Sequence, residues 1–121
     1  MIFGDKMSIL KSVLEEELER NLRNQKIYKE MLSNLPKGSI YISNRNGKQY
    51  IYRKNRIGIM IVNEYICAFS NTKKAEDEIQ KSEDYSRITK NIELAKKEEL
   101  RLRKALKAYE WKLWRWIAKY H

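Results

Sequence analysis

The chain has 121 residues, a formal net charge of +10 and 42% hydrophobic residues, a profile that fits one small folded domain. Four Gly and one Pro leave few turn positions, which excludes a β-sandwich with its frequent turns. One Cys and one His exclude a disulfide framework and a Cys/His zinc cage within the chain. We expect a single α+β domain over residues 1–121, with no cofactor and no metal ion.

Residues 5–34 are predicted to form the first helix. Apolar residues recur at three- and four-residue steps between Ile9 and Leu32, which is the period of one helix face. Pro36 ends the pattern because the residue before a proline is pushed out of the helical region.

Residues 39–69 are predicted to form an antiparallel β-meander of three to four strands. Asn46-Gly47 is a strong hairpin signal because a type I′ turn needs positive φ at both residues. With this turn, Tyr41 faces Tyr52. One face then carries the tyrosines, and the other carries isoleucines: Tyr41, Tyr50 and Tyr52 against Ile40, Ile42 and Ile51.

The remainder of the meander is predicted to contain a third strand at 57–62, a turn at Asn63-Glu64 and a short fourth strand at 65–69. The central strands have the composition of buried strands. Cys67 is therefore predicted to be a structural thiol, since no nearby base would activate it.

Residues 72–120 are predicted to form one long helix that begins at Asn71 or Thr72. A heptad pattern runs through its second two-thirds, and only Glu99 breaks the apolar seam. The seam residues are Tyr85, Ile88, Ile92, Ala95, Leu102, Leu106, Tyr109, Leu113, Trp116 and Tyr120. We expect this coiled-coil-like seam to pack on the first helix, on a second copy of the chain, or on both.

The unequal helix lengths predict an overhang. If the helices form an antiparallel hairpin, a rise of 1.5 Å per residue puts residue 5 level with about residue 102. The last twenty or so residues would then lack an intrachain partner. An exposed apolar stripe of this kind favours a homodimer or a protein partner.

The excess positive charge lies in two segments. Residues 36–58 contain six basic and no acidic residues, and residues 101–121 contain seven basic residues and one acid. Such acid-poor segments favour a polyanionic partner, RNA or DNA, over a solvated basic surface. The candidate nucleic-acid contacts are Lys37, Arg45, Lys48, Tyr50, Tyr52, Arg53, Lys54, Arg56, Arg101, Arg103, Lys104, Lys107, Lys112, Arg115 and Lys119.

The tyrosines of the hairpin have two interpretations. Exposed rings beside cations would stack on the bases of a single strand. Alternatively, the same rings would pack against a helix, with their hydroxyl groups in water.

The C-terminal segment contains all three tryptophans. Trp and Arg are typical of protein-binding hot spots, so this segment would bind a protein partner, nucleic acid or, less favoured, a membrane surface. The candidate partner-binding residues are Leu106, Tyr109, Trp111, Leu113, Trp114 and Trp116. No Gly-rich phosphate loop or pair of catalytic groups is present, so we expect no enzymatic activity.

The segment Leu35-Pro36-Lys37-Gly38-Ser39-Ile40-Tyr41, followed by Asn46-Gly47-Lys48-Gln49-Tyr50-Ile51-Tyr52, resembles small phage and prophage proteins of low-GC Gram-positive bacteria. The resemblance implies a counter-defence role, such as an anti-CRISPR inhibitor of a guide-RNA-loaded nuclease. We expect cytoplasmic localisation, in the host cytoplasm for a phage-encoded protein, because no membrane span or signal peptide is evident. The sequence thus predicts a binding protein for RNA or an RNA–protein complex, and alternatively a dimeric coiled-coil adaptor.

Overall fold

The computed structural model describes the backbone of residues 2–120 and the side chains of residues 9–112, 115 and 117–119. The elements in chain order are α1 (Ile2–Ser33), β1 (Ser39–Arg45), β2 (Lys48–Ile57), β3 (Met60–Ala68) and α2 (Thr72–Tyr120). This order confirms the predicted α+β class with a helix at each end of a small sheet. Across the described residues, neither helix has the length and apolar character needed to cross a membrane.

The chain divides into two compact units. One unit is Glu30–Lys90, which contains the sheet and the beginning of α2. The other consists of Met1–Lys29 and Asn91–His121, which contribute most of α1 and the remainder of α2.

The first hairpin has the predicted turn and register. Asn46 and Gly47 both have positive φ, at 52° and 76°, as a type I′ turn requires. Tyr41 pairs with Tyr52, and Arg45 pairs with Lys48. The sheet order is β1-β2-β3, with both neighbouring pairs antiparallel.

The second half of the meander differs from the prediction. The expected third and fourth strands are one continuous strand, β3, and the predicted turn at Asn63-Glu64 is wrong. Those two residues pair with Lys54 and Arg53 in the β2–β3 ladder. The chain reverses instead at Gly58, whose φ of 63° suits a residue without a Cβ.

One face of the sheet packs on the beginning of α2. Ile51 has 0% of its surface exposed and lies in a core with Cys67 and Ala75. Ile40 and Ile79 are partly buried against this core. Cys67 is a buried free thiol, in agreement with the structural role predicted for it.

A β-bulge at Ile66 reverses the direction of the side chains along β3. Cys67 pairs with Ile51, but Tyr65 pairs with Tyr52, the next residue of β2. Ile66 is therefore the extra residue and packs against the core. Because of the bulge, Cys67 points to the core while Tyr65 points to the opposite face of the sheet.

In the other unit, the predicted seam of α2 is buried at Ile92, Leu102 and Tyr109. Glu99 is the polar residue that interrupts this seam. The buried side chain of Gln25 donates a hydrogen bond of 2.8 Å to Glu99 Oε1. Hydrogen bonds from Gln25 and Arg103 hold the pKa of the Glu99 carboxyl below its ordinary value.

The helix register differs from the prediction. Asn21 Nδ2 donates to the carbonyl oxygen of Ala95 at 2.9 Å, whereas the predicted register puts residue 21 level with about residue 86. More of α2 therefore lies beside α1 than we expected from helix length. Amide–carbonyl and amide–carboxylate pairs set this register, and a polar residue in an apolar seam is a known means of doing so.

We predict that Gly38→Ala destabilises the sheet more than Gly58→Ala. Gly38 has a φ of 109°, and an added Cβ would lie 2.7 Å from the carbonyl oxygen of Lys54. Gly58 also has positive φ but has open space around it. Urea unfolding should give a loss of about 3 kcal/mol or more for the first variant and about 1 kcal/mol for the second. Equal losses would contradict the close approach at Gly38.

Candidate nucleic-acid interface

Four tyrosines form one connected cluster on the sheet face opposite the core, which we call the tyrosine face. The rings of Tyr41 and Tyr52 stack with centroids 5.5 Å apart and an interplanar angle of 16°. Tyr65 meets Tyr52 edge-on at 5.6 Å and lies 6.2 Å from Tyr50. These offset and edge-to-face arrangements are favourable for aromatic quadrupoles, so the cluster is a preformed aromatic surface.

The tyrosine face is the accessible face of the sheet within its unit. The beginning of α2 packs through Ala75 and Ile79 on the opposite face, which carries Ile40 and Ile51 and which we call the isoleucine face. The second interpretation of the tyrosines, in which they pack against a helix, therefore does not hold for this part of α2. Tyr65 is 54% exposed, and Tyr41, Tyr50 and Tyr52 are half-buried. All four tyrosines therefore keep exposed surface that a ligand can reach.

Four cations lie on the same face as the tyrosines. Arg45 and Lys48 form a directly opposed pair, and the Arg45 guanidinium lies 5.6 Å from the centroid of the Tyr52 ring. Lys54 and Arg56 follow Tyr52 along β2 at two-residue steps, which keeps them on the same face. All four side chains are exposed.

The tyrosine face carries no carboxylate. Glu64 is the only acidic residue between residues 34 and 75, and it pairs with Arg53 on the other face of the sheet. Among the described residues, no ion pair involves the exposed cations of this segment, Lys37, Arg45, Lys48, Lys54 and Arg56. No carboxylate of the described residues therefore neutralises these charges.

Arg53 is a correction to the predicted interface. It lies on the isoleucine face, and its Nη2 donates to Glu78 Oε2 of α2 at 2.5 Å. Both side chains are largely buried, at 12% and 14% exposure. The Arg53–Glu78 ion pair therefore joins β2 to α2, and the Arg53 guanidinium is not accessible to a phosphate.

An open cavity of about 370 Å³ lies beside the tyrosine cluster. This volume is in the range of small-ligand pockets. The lining residues are Arg45, Asn46, Lys48, Tyr50, Tyr52 and Tyr65.

The second basic segment lies on α2. Two of its cations have acidic partners on the same helix, Arg101 with Glu98 at 3.6 Å and Arg103 with Glu99 at 2.8 Å. Lys119 is exposed. The other exposed cations have no ion-pair partner among the described residues: Lys104, Lys107, Lys112 and Arg115. Lys104, Lys107 and Arg115 lie on the same helix face as Trp111, which is 66% exposed.

The overhang predicted for the C-terminal seam does not hold for two of its residues. Tyr109 is buried and Leu106 is half-buried within the single chain. These two residues therefore give no reason for a homodimer. The side chains of Leu113, Trp114 and Trp116 lie outside the described residues.

Tyr65 is a site residue that sequence reasoning missed. The turn predicted at Asn63-Glu64 puts it in a separate fourth strand, outside the hairpin cluster. Its two-residue spacing from the buried Cys67 would also have assigned it to the core face. Only the bulge at Ile66 brings Tyr65 to the tyrosine face, and no residue type in the sequence marks that bulge.

No group of three His, Cys, Asp or Glu side chains within the described part of the chain could hold a metal ion. The chain matches no protein-family model, no curated protein and no solved structure. Its function is therefore inferred from the geometry of its own residues.

We predict that Arg53 and Glu78 depend on each other for stability. Arg53→Met leaves Glu78 with only Lys81, at 3.7 Å, and should lower the free energy of unfolding by about 2–3 kcal/mol. Glu78→Leu should cost a similar amount, because it leaves a mostly buried guanidinium without its partner. The double variant should recover most of the loss in urea unfolding. Additive losses would contradict a coupled buried pair.

Proposed function

We propose that this chain binds single-stranded RNA on its tyrosine face and does not act as an enzyme. The observation that carries the proposal is the segregation of charge on the sheet, where four exposed cations and four tyrosines share a face that has no carboxylate. A basic surface without acids attracts a polyanion. The accompanying rings favour an unpaired strand, whose bases are free to stack.

The two residue types on the face would have different roles. Tyr65 and Tyr50 are the rings with surface available for a base, since Tyr52 is covered by Tyr41 and by the Arg45 guanidinium. Arg45 and Lys48 border the cavity that these rings line and would neutralise the adjoining phosphates. Lys54 and Arg56 extend the positive charge along β2, so that the strand would run along the direction of β2.

The unpaired cations of α2 support a second electrostatic contact. The exposed ring of Trp111 could stack on a base, and the lysines on the same helix face could contact the phosphates beside it. We propose that these residues add affinity for nucleic acid without sequence preference.

The resemblance to phage proteins suggests a biological setting for RNA binding. A basic, acid-free surface has the opposite charge of a DNA mimic. We therefore propose that, in a counter-defence role, the chain would bind the guide RNA of a nuclease complex and would not occupy its DNA-binding groove.

The high exposure of Trp111 favours one other function. A tryptophan that is 66% exposed is typical of a protein-binding hot spot, so the alternative is an adaptor that binds a protein through α2. Capture from lysate distinguishes the two functions. A protein partner that survives nuclease treatment and is lost with Trp111→Ala would favour the adaptor.

We predict that replacing Arg45, Lys48 and Lys54 together by Ala weakens RNA binding and its salt dependence. Each phosphate contact of a single strand contributes about 0.7 to the slope of log affinity against log salt. The triple variant should therefore lower the slope by about 2. The charge-matched control is Lys90→Ala, Lys96→Ala and Lys97→Ala, three exposed lysines of α2. If both variants had the same slope, the effect would come from net charge, and the proposed interface would be rejected.

We further predict that Tyr65→Ala lowers the affinity for an RNA oligonucleotide about 5- to 100-fold, whereas Tyr65→Phe retains it, because stacking needs the ring and not the hydroxyl group. Fluorescence anisotropy with single-stranded RNA, single-stranded DNA and duplex DNA of one sequence measures the effect. Equal affinity of the wild type and the Ala variant for every probe would reject stacking on this face.

A further inference from the structure

The β2–β3 hairpin ends in an exposed apolar segment, which we call the apolar tip and define as residues 57–62. Its five large side chains are all exposed: Ile57, Ile59, Met60, Ile61 and Val62. A monomeric soluble protein rarely exposes so many neighbouring apolar side chains, and such patches mark interaction sites. None of these side chains belongs to the buried core or to the tyrosine cluster.

The apolar tip projects as a two-stranded ribbon. β1 pairs with β2 only as far as Lys54, which lies opposite Ser39. Beyond that pair, β2 and β3 are hydrogen-bonded only to each other, ending with Ile57 opposite Met60. Since side chains alternate along a strand, both faces of this ribbon carry apolar residues.

Exposure increases toward the end of the ribbon. It rises from 41% at Val62 to 98% at Ile59, the residue in the turn itself. A partner strand added along the edge of β3 would leave Ile59 uncovered. A fluid apolar phase that surrounds the end of the ribbon, such as the interior of a lipid layer, would cover the turn and both faces.

We propose that the apolar tip inserts into the interface of a membrane that contains anionic lipids. Lys54 and Arg56 stand behind the turn on the tyrosine face and have no acidic partner among the described residues. At about 3.3 Å per residue, Arg56 lies about 8 Å behind the turn. Apolar side chains buried about 5–10 Å into the headgroup and acyl boundary would bring Arg56 level with the lipid phosphates.

The backbone sets the depth of insertion. Each strand of the ribbon has an outer edge with unpaired N–H and C=O groups beyond β1. Unpaired backbone groups are costly in hydrocarbon, so the tip stays at the interface and does not cross the bilayer. Nucleic acid is the other anionic partner, but a base step accepts a single apolar wedge, which would leave most of the five side chains uncovered.

Vesicle flotation of the nuclease-treated 121-residue chain tests the proposal. The vesicles contain phosphatidylcholine alone or phosphatidylcholine with phosphatidylserine. We expect binding to the vesicles with phosphatidylserine and at least a tenfold loss of that binding with Ile59→Asp, since the turn side chain would no longer be buried in the interface. The control is Leu94→Asp, the same change at an apolar residue of α2 that is 63% exposed, and it should bind as the wild type does.

Three outcomes of these measurements would contradict insertion of the apolar tip into a membrane. No flotation of the wild type, or equal flotation of the wild type and Ile59→Asp, would overturn the proposal. So would a tip variant that keeps its vesicle binding and loses RNA affinity, because the tip would then contact nucleic acid. The inference does not depend on RNA binding, and RNA titration of the same variants separates the two. Tyr65→Ala should leave flotation unchanged.

Discussion

The burial of Ile51 fixes the face of the sheet toward which each of the remaining side chains of β2 points. Ile51 is enclosed by Cys67 and Ala75, and a strand alternates its side chains between two faces. Tyr50 and Tyr52 must therefore point away from the core, together with the cations at even-numbered positions of β2. A shift of one residue in this strand would bury lysines and expose the isoleucine, so stability and the arrangement of the candidate interface depend on the same constraint.

Arg53 is the only cation of β2 that points to the core side, and its charge is compensated there. Arg53 is neutralised by Glu78, so the positive charge that β2 directs toward α2 is compensated. The other basic side chains of the hairpin remain in solvent. The bulge at Ile66 adds Tyr65 to their face without removing Cys67 from the core. The charge of the sheet is thus divided between an ion pair that stabilises the fold and an open surface that attracts anions.

The parts of this arrangement that could be predicted are local in sequence. Asn46-Gly47 encodes both its turn and the register of the flanking strands, and the alternation of Tyr and Ile encodes the two faces. The partner of Arg53 lies 25 residues away and has no sequence signal. Alternating Ile57, Ile59 and Ile61 has the pattern of a buried strand, yet β1 is too short to cover that end of β2, so exposure there could be known only from the structure.

The most direct test of the central claim is an NMR titration of the labelled protein with a short single-stranded RNA. We expect side-chain shifts that alternate along β2, large at Lys48, Tyr50 and Lys54 and small at Ile51 and Arg53. Shifts of similar size at both sets of residues, or shifts confined to α2, would contradict RNA binding on the one face of the sheet to which Lys48, Tyr50 and Lys54 point.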